Sequence, residues 1–372
     1  EAAAIYCLEN ISEHLLKEGD SFMIVDCGGG TIDLTVRTLL PGSKLSELTE
    51  STGGFCGSTY IDKEFKKFLA RKIGLSAYQL LEEKHYPQLQ YLVQYFCTQV
   101  KLPFDGIERS WRNKEIDLEE VCPVLLQYVK GEERDILEES EWMIELDFLL
   151  VKSFFDSVVG QIINLIHRQI SKSRKNISAI FLVGGFSESK YLLLKIRNEF
   201  NARIPYISVP SGPIASIVRG AALYGLKMDT IKTRVLRNTY GIRMLRDWTP
   251  NDPVSRIIMI DSEKRICYFE RLAKKSTEVP VDQEFKKKVC PVYKNQSKAS
   301  FMIYTTKADD GKYCEDPGME LFGTLDLEIP DVHLGLGRPL EFTLTFGQME
   351  TRAFARAIMS GKTSQATFKL EL

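Results

Sequence analysis

The stretch "FMIVDCGGGTIDLTV", residues 22–36, sets Gly28, Gly29 and Gly30 between two carboxylates, Asp26 and Asp33, with Thr31 beside them. Apolar runs flank the glycines. Phe22 to Val25 reads as a buried strand and Ile32 to Val36 resumes extended structure, so the glycines form a hairpin tip. Glycine leaves backbone N–H groups uncovered, and consecutive uncovered N–H groups make an anion cradle. An ordinary tight hairpin needs one or two glycines and no flanking carboxylates. Three glycines bracketed by Asp26, Thr31 and Asp33 favour a phosphate and Mg²⁺ site.

A second glycine turn stands in "NISAIFLVGGFSESKYLLLKIRNEF". A buried strand, Ile180 to Val183, runs into Gly184 and Gly185, and Ser187 or Ser189 is available to cap the helix that follows. Such a turn suits a phosphate or nucleotide edge, but alone it is weak, because many α/β turns look the same. Gly361, Lys362 and Thr363 mimic the end of a Walker A loop. Arg356 stands where that pattern needs glycine, so the segment reads as a hairpin turn.

The elements that must position these residues change character twice along the 372-residue chain, which is long enough for two or three domains. Residues 1–60 read helix, hairpin and a glycine-rich turn, "STGGFCGSTYID". Residues 61–175 are mainly helical, with one strand region near Glu115 to Val121. Within them Phe154, Phe155, Val158, Val159, Ile162, Ile163, Leu165 and Ile166 recur at helical spacing and are core. The acidic run before Trp142 and Met143 reads as a solvated face or loop. "PSGPIASIVRGAALYGL" carries small residues at close-packing spacing. After about residue 230 short alternating runs such as "RICYFERL", "SFMIYTT", "LEFTLTF" and "QATFKLEL", separated by "DDGK", "GLGRP" and "SGKTS", predict an all-β domain.

A formal net charge of −1 implies neither nucleic acid nor an anionic membrane as partner. Eight cysteines without a C-x-x-C pair argue against zinc and against a dense disulfide framework, and their apolar contexts fit reduced thiols in a cytoplasmic setting. No uninterrupted apolar stretch approaches the roughly 18 residues of a membrane helix, so no membrane insertion is expected. The chain opens with Glu1 inside a helical pattern that has no cap before it, and the expectation is an incomplete chain.

The order "EAAAIYCLEN", "VDCGGGTIDLTV", "GGFCGSTYIDKEF", "FLVGGFSESKYL", "RGAALYGL" resembles the ATPase domain of the heat-shock protein 70 family, in the actin-like superfamily. "NTYGIRM", "DPGMELFGTLDLEI" and "LTFGQMETRAFA" extend the likeness to a divergent branch of that family. The resemblance implies an α/β, actin-like ATPase (ribonuclease H-like) domain, mainly its second lobe, over residues 1–230, with a helical sub-lobe at about 57–150. A smaller, β-rich, substrate-binding-like domain would follow over 231–372.

Carried over by residue, the resemblance makes Gly28, Gly29, Gly30 and Thr31 a loop that grips the β- and γ-phosphates of ATP. Asp26 would stand in the Mg²⁺ shell or near the attacking water, with Asp26 and Thr31 as the catalytic candidates and Asp33 supporting the loop. Gly57 matches one of two glycines at the nucleotide's edge, with Ser58 in place of the second, and Gly184 and Gly185 match the adenosine motif. The sequence also departs from the family. Glu188 replaces an arginine that stacks on adenine. "YFCTQVK" offers Cys97 and Val100 where a glutamate and a lysine serve the nucleoside, with Lys101 one step late.

The resemblance implies that the family's first phosphate loop, catalytic lysine and proline-glutamate link between lobes would precede the point where this chain begins. The expectation is an ATP-binding, chaperone-like protein with clients or co-chaperones as partners, slow hydrolysis in a full-length parent, and no competent ATPase in this chain alone. The alternative is a non-catalytic adaptor that keeps the fold. A kinase of the same superfamily is disfavoured by the β-rich tail.

Overall fold

The computed structural model describes residues 1–8, 16–347 and 350–369. They divide into two units, one of residues 1–37 and 52–226, the other of 38–51 and 227–372.

In the first unit the glycine-rich stretch lies between β1 (Ser21–Cys27) and β2 (Ile32–Leu40). Helix α1 (Ala2–Leu8) precedes β1, and after β3 (Lys44–Gly54), whose first eight residues belong to the second unit, come α2 (Thr59–Ile73), α3 (Leu75–Lys84) and α4 (Tyr86–Phe96). A two-stranded ribbon, β4 (Lys114–Asp117) with β5 (Met143–Leu146), brackets the short helices α5 (Leu118–Val121), α6 (Leu125–Tyr128) and α7 (Glu132–Glu139). The long α8 (Phe148–Lys172) leads to β6 (Ile177–Val183), α9 (Lys190–Phe200), β7 (Tyr206–Ser208) and α10 (Ser216–Leu226).

Strands β2, β1, β6 and β7 are neighbours in that order, and β1 pairs parallel with β6 so that Asp26 stands opposite Val183. Phe22–Val25 and Ala179–Val183 are buried without a break, the mark of strands covered on both faces. Both glycine turns therefore emerge at the carboxyl ends of adjacent parallel strands, where open α/β sheets bind their ligands.

The strand expected near Glu115 to Val121 ends early. Asp117 accepts the Glu120 N–H at 3.1 Å, and that cap turns Leu118–Val121 into helix. The acidic run forms α7 with Leu137 buried, while Trp142 beyond it is only 5 % exposed. Helix α8 is long and apolar enough, by length and composition, to cross a membrane, yet it buries Val151, Phe154, Phe155, Val158, Val159, Ile162 and Ile166 within this unit. Its Phe154 meets Phe68 of α2 and Phe96 of α4, and Phe65 stacks on Phe96 at 4.1 Å. The small residues of α10 serve α1: a side chain at Gly220 would meet the Ala2 carbonyl oxygen at 1.7 Å.

The second unit holds the strands β8 (Ile231–Val235), β9 (Thr239–Asp247), β10 (Ile258–Ile260), β11 (Glu263–Ala273), β12 (Glu278–Pro280), β13 (Glu284–Val289), β14 (Lys298–Thr306), β15 (Met319–Glu328), β16 (Leu340–Phe346), β17 (Glu350–Ala357) and β18 (Thr363–Lys369). One antiparallel sheet runs β10-β11-β9-β14-β15 and another β13-β16-β17-β18. Ile242, Phe301, Ile303 and Leu325 of the first share a core with Phe342, Leu344, Ala353 and Ala355 of the second. In β17 Thr351, Ala353, Ala355 and Ala357 are buried and alternate with outward residues, the period of two that the sequence shows. Gly361–Thr363 lies at the turn into β18, as a hairpin reading requires.

Candidate functional site

The tip of the β1–β2 hairpin rests on the start of α2. Gly57, Ser58 and Thr59 donate their backbone N–H groups to the carbonyls of Gly30, Gly28 and Gly29, at 3.2, 3.1 and 2.9 Å, and the Thr59 hydroxyl adds a bond to Gly29 at 2.8 Å. Helix α2 has no side-chain cap: the hairpin takes the N–H of Thr59 at its first position, and the next two, Tyr60 and Ile61, turn back to the Gly57 and Ser58 carbonyls at 3.1 and 3.2 Å.

This arrangement fixes the opposite side of the hairpin. In a trans peptide the N–H of one residue points opposite to the C=O of the residue before it. With the carbonyls of Gly28, Gly29 and Gly30 turned onto α2, the N–H groups of Gly29, Gly30 and Thr31 turn away from it. No acceptor for those three is found among the described residues, and all three residues are exposed. Each N–H also lies at the end of a hydrogen-bonded peptide that begins at the positive end of a 15-residue helix, which polarises the outward donors.

The glycines of the site fall into two kinds. At Gly57 an added Cβ would meet the Gly29 carbonyl oxygen at 2.4 Å and that of Gly28 at 2.6 Å, so α2 can approach the hairpin only where no side chain stands. Gly184 has φ +81° and would place a Cβ 2.5 Å from Asp26 Oδ1 and from the Cys27 oxygen. At Gly28 the Thr31 oxygen is 3.0 Å away. These three are demanded by the chain itself. Gly29 and Gly30 are not. Neither has positive φ, a Cβ at Gly30 meets nothing within 4 Å, and one at Gly29 meets only Thr59 Cγ2 at 3.7 Å. Gly185 is similarly open, with Ile214 at 3.6 Å in ordinary contact. The open glycines carry the uncovered amides, which is the surface a bound anion would fill.

Asp26, at the end of β1, is half-buried, and among the described residues no cationic side chain pairs with it. Burial raises its carboxyl above the ordinary 3.8, and the nearby Asp33 charge pushes the same way. Asp33 lies on β2 against Gly53, where a Cβ would meet its Oδ1 at 2.7 Å. Two carboxylates that repel each other beside a row of amides suit a divalent cation bridging to phosphate. Mg²⁺ held through one or two carboxylates and water needs no larger cluster, and no group of three His, Cys, Asp or Glu is found among the described residues.

Beyond Gly184 and Gly185, Ser189 rather than Ser187 caps α9, accepting the Leu192 N–H at 3.3 Å. Ser187 folds back onto the Gly184 oxygen at 2.6 Å. Glu188 is exposed on the intervening turn.

The sequence gives no direct sign of the part Lys101 plays. Cys97–Lys101 is a π-helical turn, closed by Leu102 N–H to the Cys97 oxygen at 2.9 Å, and a π-turn accommodates one extra residue. Lys101 is carried to the start of α2, where its ammonium donates to the Ser58 carbonyl at 2.8 Å and pairs with Asp62 at 2.7 Å. The Ser58–Thr59 peptide then donates to Gly29, and the Gly29–Gly30 peptide presents one of the outward N–H groups. Lys101 thus stands behind the cradle rather than in it. Lys101→Met is expected to cost about 3 kcal/mol, because it strands the mostly buried Asp62 carboxylate. Urea unfolding should show that loss, largely relieved in the Asp62→Asn, Lys101→Met double variant.

The fold is that of a mixed α/β protein with several sheets, consistent with an actin-like ATPase fold, and a row of outward backbone N–H groups stands at the carboxyl ends of its parallel strands. No family model matches the chain. It is 24 % identical over 378 residues to human heat shock 70 kDa protein 12B, an alignment that covers 95 % of this chain and 54 % of the relative. Heat shock 70 kDa protein 12A is 26 % identical over 382 residues in both mouse and human, covering 96 % of this chain and 55 % of each relative. The chain thus resembles the divergent 12A/12B branch of the heat-shock protein 70 family along nearly its whole length, and it spans about half the length of the curated relatives it matches.

Proposed function

We propose that this chain binds Mg-ATP and Mg-ADP at the Gly28–Thr31 tip, as part of an ATP-binding, chaperone-like protein of the heat-shock protein 70 kind. The observation that carries this reading is the row of three outward N–H groups at Gly29, Gly30 and Thr31 above glycines whose own packing does not require them. These amides would grip phosphate oxygens. Thr31 adds a hydroxyl at the same edge, and Asp33 backs it from β2. Asp26 would hold Mg²⁺ directly or through its water shell. The cation would supply neutralisation of phosphate charge and orientation of a water. Gly57 fixes the loop on α2, while Gly184 and Gly185 keep the neighbouring strand end low enough for a nucleoside to approach.

Actin-like organisation of residues 1–230 and a β-rich, substrate-binding-like role for 231–372, meeting protein clients or co-chaperones, belong to the same proposal. So does a cytoplasmic location, which the eight free cysteines support. Turnover by this chain alone is expected to be negligible, since phosphoryl transfer depends on charge stabilisation from several sides and the tip supplies one. A second reading, a nucleotide-indifferent adaptor, is favoured by Glu188, Cys97 and Val100, which stand where nucleoside contacts would be.

Asp26→Asn separates the two. Under the ATP-binding reading, calorimetry shows Mg-ATP affinity falling about 100-fold, and the wild type losing a comparable amount when Mg²⁺ is chelated. Stability moves the other way. A carboxyl raised above its ordinary 3.8 binds its proton more tightly folded than unfolded, so stability is lost as pH climbs from that value through the raised one. The amide removes that loss, and its neutral-pH Tm should equal or exceed that of wild type. Absence of Mg-ATP binding by the wild-type chain would favour the adaptor.

A further inference from the structure

The β-sheet unit places two thiols in partnership. Phe269 of β11 donates its N–H to the Lys312 oxygen at 2.8 Å, and the Cys314 thiol reaches the Tyr268 oxygen at 3.7 Å. The Cys314 sulfur thus stands beside the residue that follows Cys267, close enough for the two thiols to bear on each other's charge. A disulfide spans Cα atoms about 4.4–6.8 Å apart, the spacing of neighbouring segments joined by backbone hydrogen bonds.

The surroundings prepare the pair. The loop bearing Cys314 is pinned: Asp316 accepts the N–H groups of Lys312 and Tyr313 at 3.1 and 3.0 Å and pairs with Arg256 at 2.8 Å, and the Tyr313 hydroxyl donates to Asp252 at 2.6 Å. Cys314 is 4 % exposed, and burial, reinforced by Glu315, pushes its thiol up to about 12. Cys267 is more open. It lines a cleft of about 540 Å³, with the Arg243 guanidinium against its sulfur and Glu315 3.7 Å from that guanidinium.

We propose that Cys267 and Cys314 are an oxidation-sensitive dithiol that a hydroperoxide closes into a disulfide between β11 and the 307–318 loop. The Cys267 thiolate attacks the peroxide O–O bond and takes one oxygen as sulfenic acid, releasing water once the departing hydroxide gains a proton. Cys314 sulfur then displaces hydroxide from that sulfenic acid. It loses its proton as the S–S bond forms, and a second water leaves. Two thiols and one hydrogen peroxide give one disulfide and two waters. The product staples the 307–318 loop to β11, and a dithiol reductant reverses it.

The test uses the full chain with Cys290→Ser, because Cys290 is exposed on the same cleft and would react on its own. One equivalent of hydrogen peroxide, followed by non-reducing digestion and mass spectrometry, should yield a Cys267–Cys314 linked peptide. The intact mass should fall by about 2 Da, restored by dithiothreitol. Cys267→Ser in that background should abolish the linkage while circular dichroism stays unchanged. Sulfenic or sulfinic acid accumulating on Cys267 without linkage, or a chain whose Cys267 does not react, would overturn the proposal.

Discussion

Gly29→Leu should leave the fold intact and remove Mg-ATP binding. The reasoning is steric and local. Gly29 is exposed, its φ is not positive, and an added Cβ meets only Thr59 Cγ2 at 3.7 Å, so a larger side chain projects into open space. Surface substitutions of this kind change stability by about 0.5 kcal/mol or less, and loss of glycine's unfolded-state freedom works in the protein's favour. The same side chain covers the row of amides at Gly29, Gly30 and Thr31. Affinity should fall about 100-fold, or ~2.7 kcal/mol, with the urea midpoint unchanged. Unaltered affinity in that variant would mean that phosphate, if bound, sits elsewhere.

Gly57→Ala should behave in the opposite way. One methyl group there would lie 2.4 Å from the Gly29 oxygen and 2.5 Å from its carbonyl carbon, both backbone atoms that no rotamer change can move aside. Relief requires α2 to part from the hairpin, which breaks the bonds from Gly57, Ser58 and Thr59. A cost of about 2–4 kcal/mol is expected, from overpacking and lost hydrogen bonds together, and chemical denaturation measures it. Binding should weaken as well, because the carbonyls that turn the outward amides are released. Wild-type stability in Gly57→Ala would show that the α2 contact does not hold the loop. Two glycines of one site thus carry opposite signatures, one in ligand affinity and one in stability.

Much of this site was legible because glycine, aspartate and apolar runs report on local backbone. Asp26, Gly28–Gly30 and Thr31 occupy one hairpin and could be read as a unit. So could the β6 turn at Gly184, since a buried run followed by two glycines and a serine-capped helix is a short-range pattern. What the residues alone did not disclose is long-range. That Gly57 packs on Gly29, and that Gly184 makes room for Asp26, depends on which strand ends meet, and β1 and β6 are about 150 positions apart in the chain. Lys101 was harder still. Its register is set by one π-turn, and propensity has no signal for a single inserted residue. The strand forecast over Glu115 to Val121 overran because Asp117 acts as a cap, a local competition between ladder and helix that β-propensity does not register.

The central claim is that the N–H groups of Gly29, Gly30 and Thr31 receive the phosphates, and the most direct measurement observes those groups. In transverse-relaxation-optimised ¹H–¹⁵N spectra of the chain titrated with Mg-ADP, the amide resonances of Gly29, Gly30 and Thr31 should move downfield together and saturably. Those of Gly57, Ser58 and Thr59, already bonded to the hairpin carbonyls, should shift less. Saturable shifts confined to other residues, with the three hairpin amides unmoved, would contradict the account.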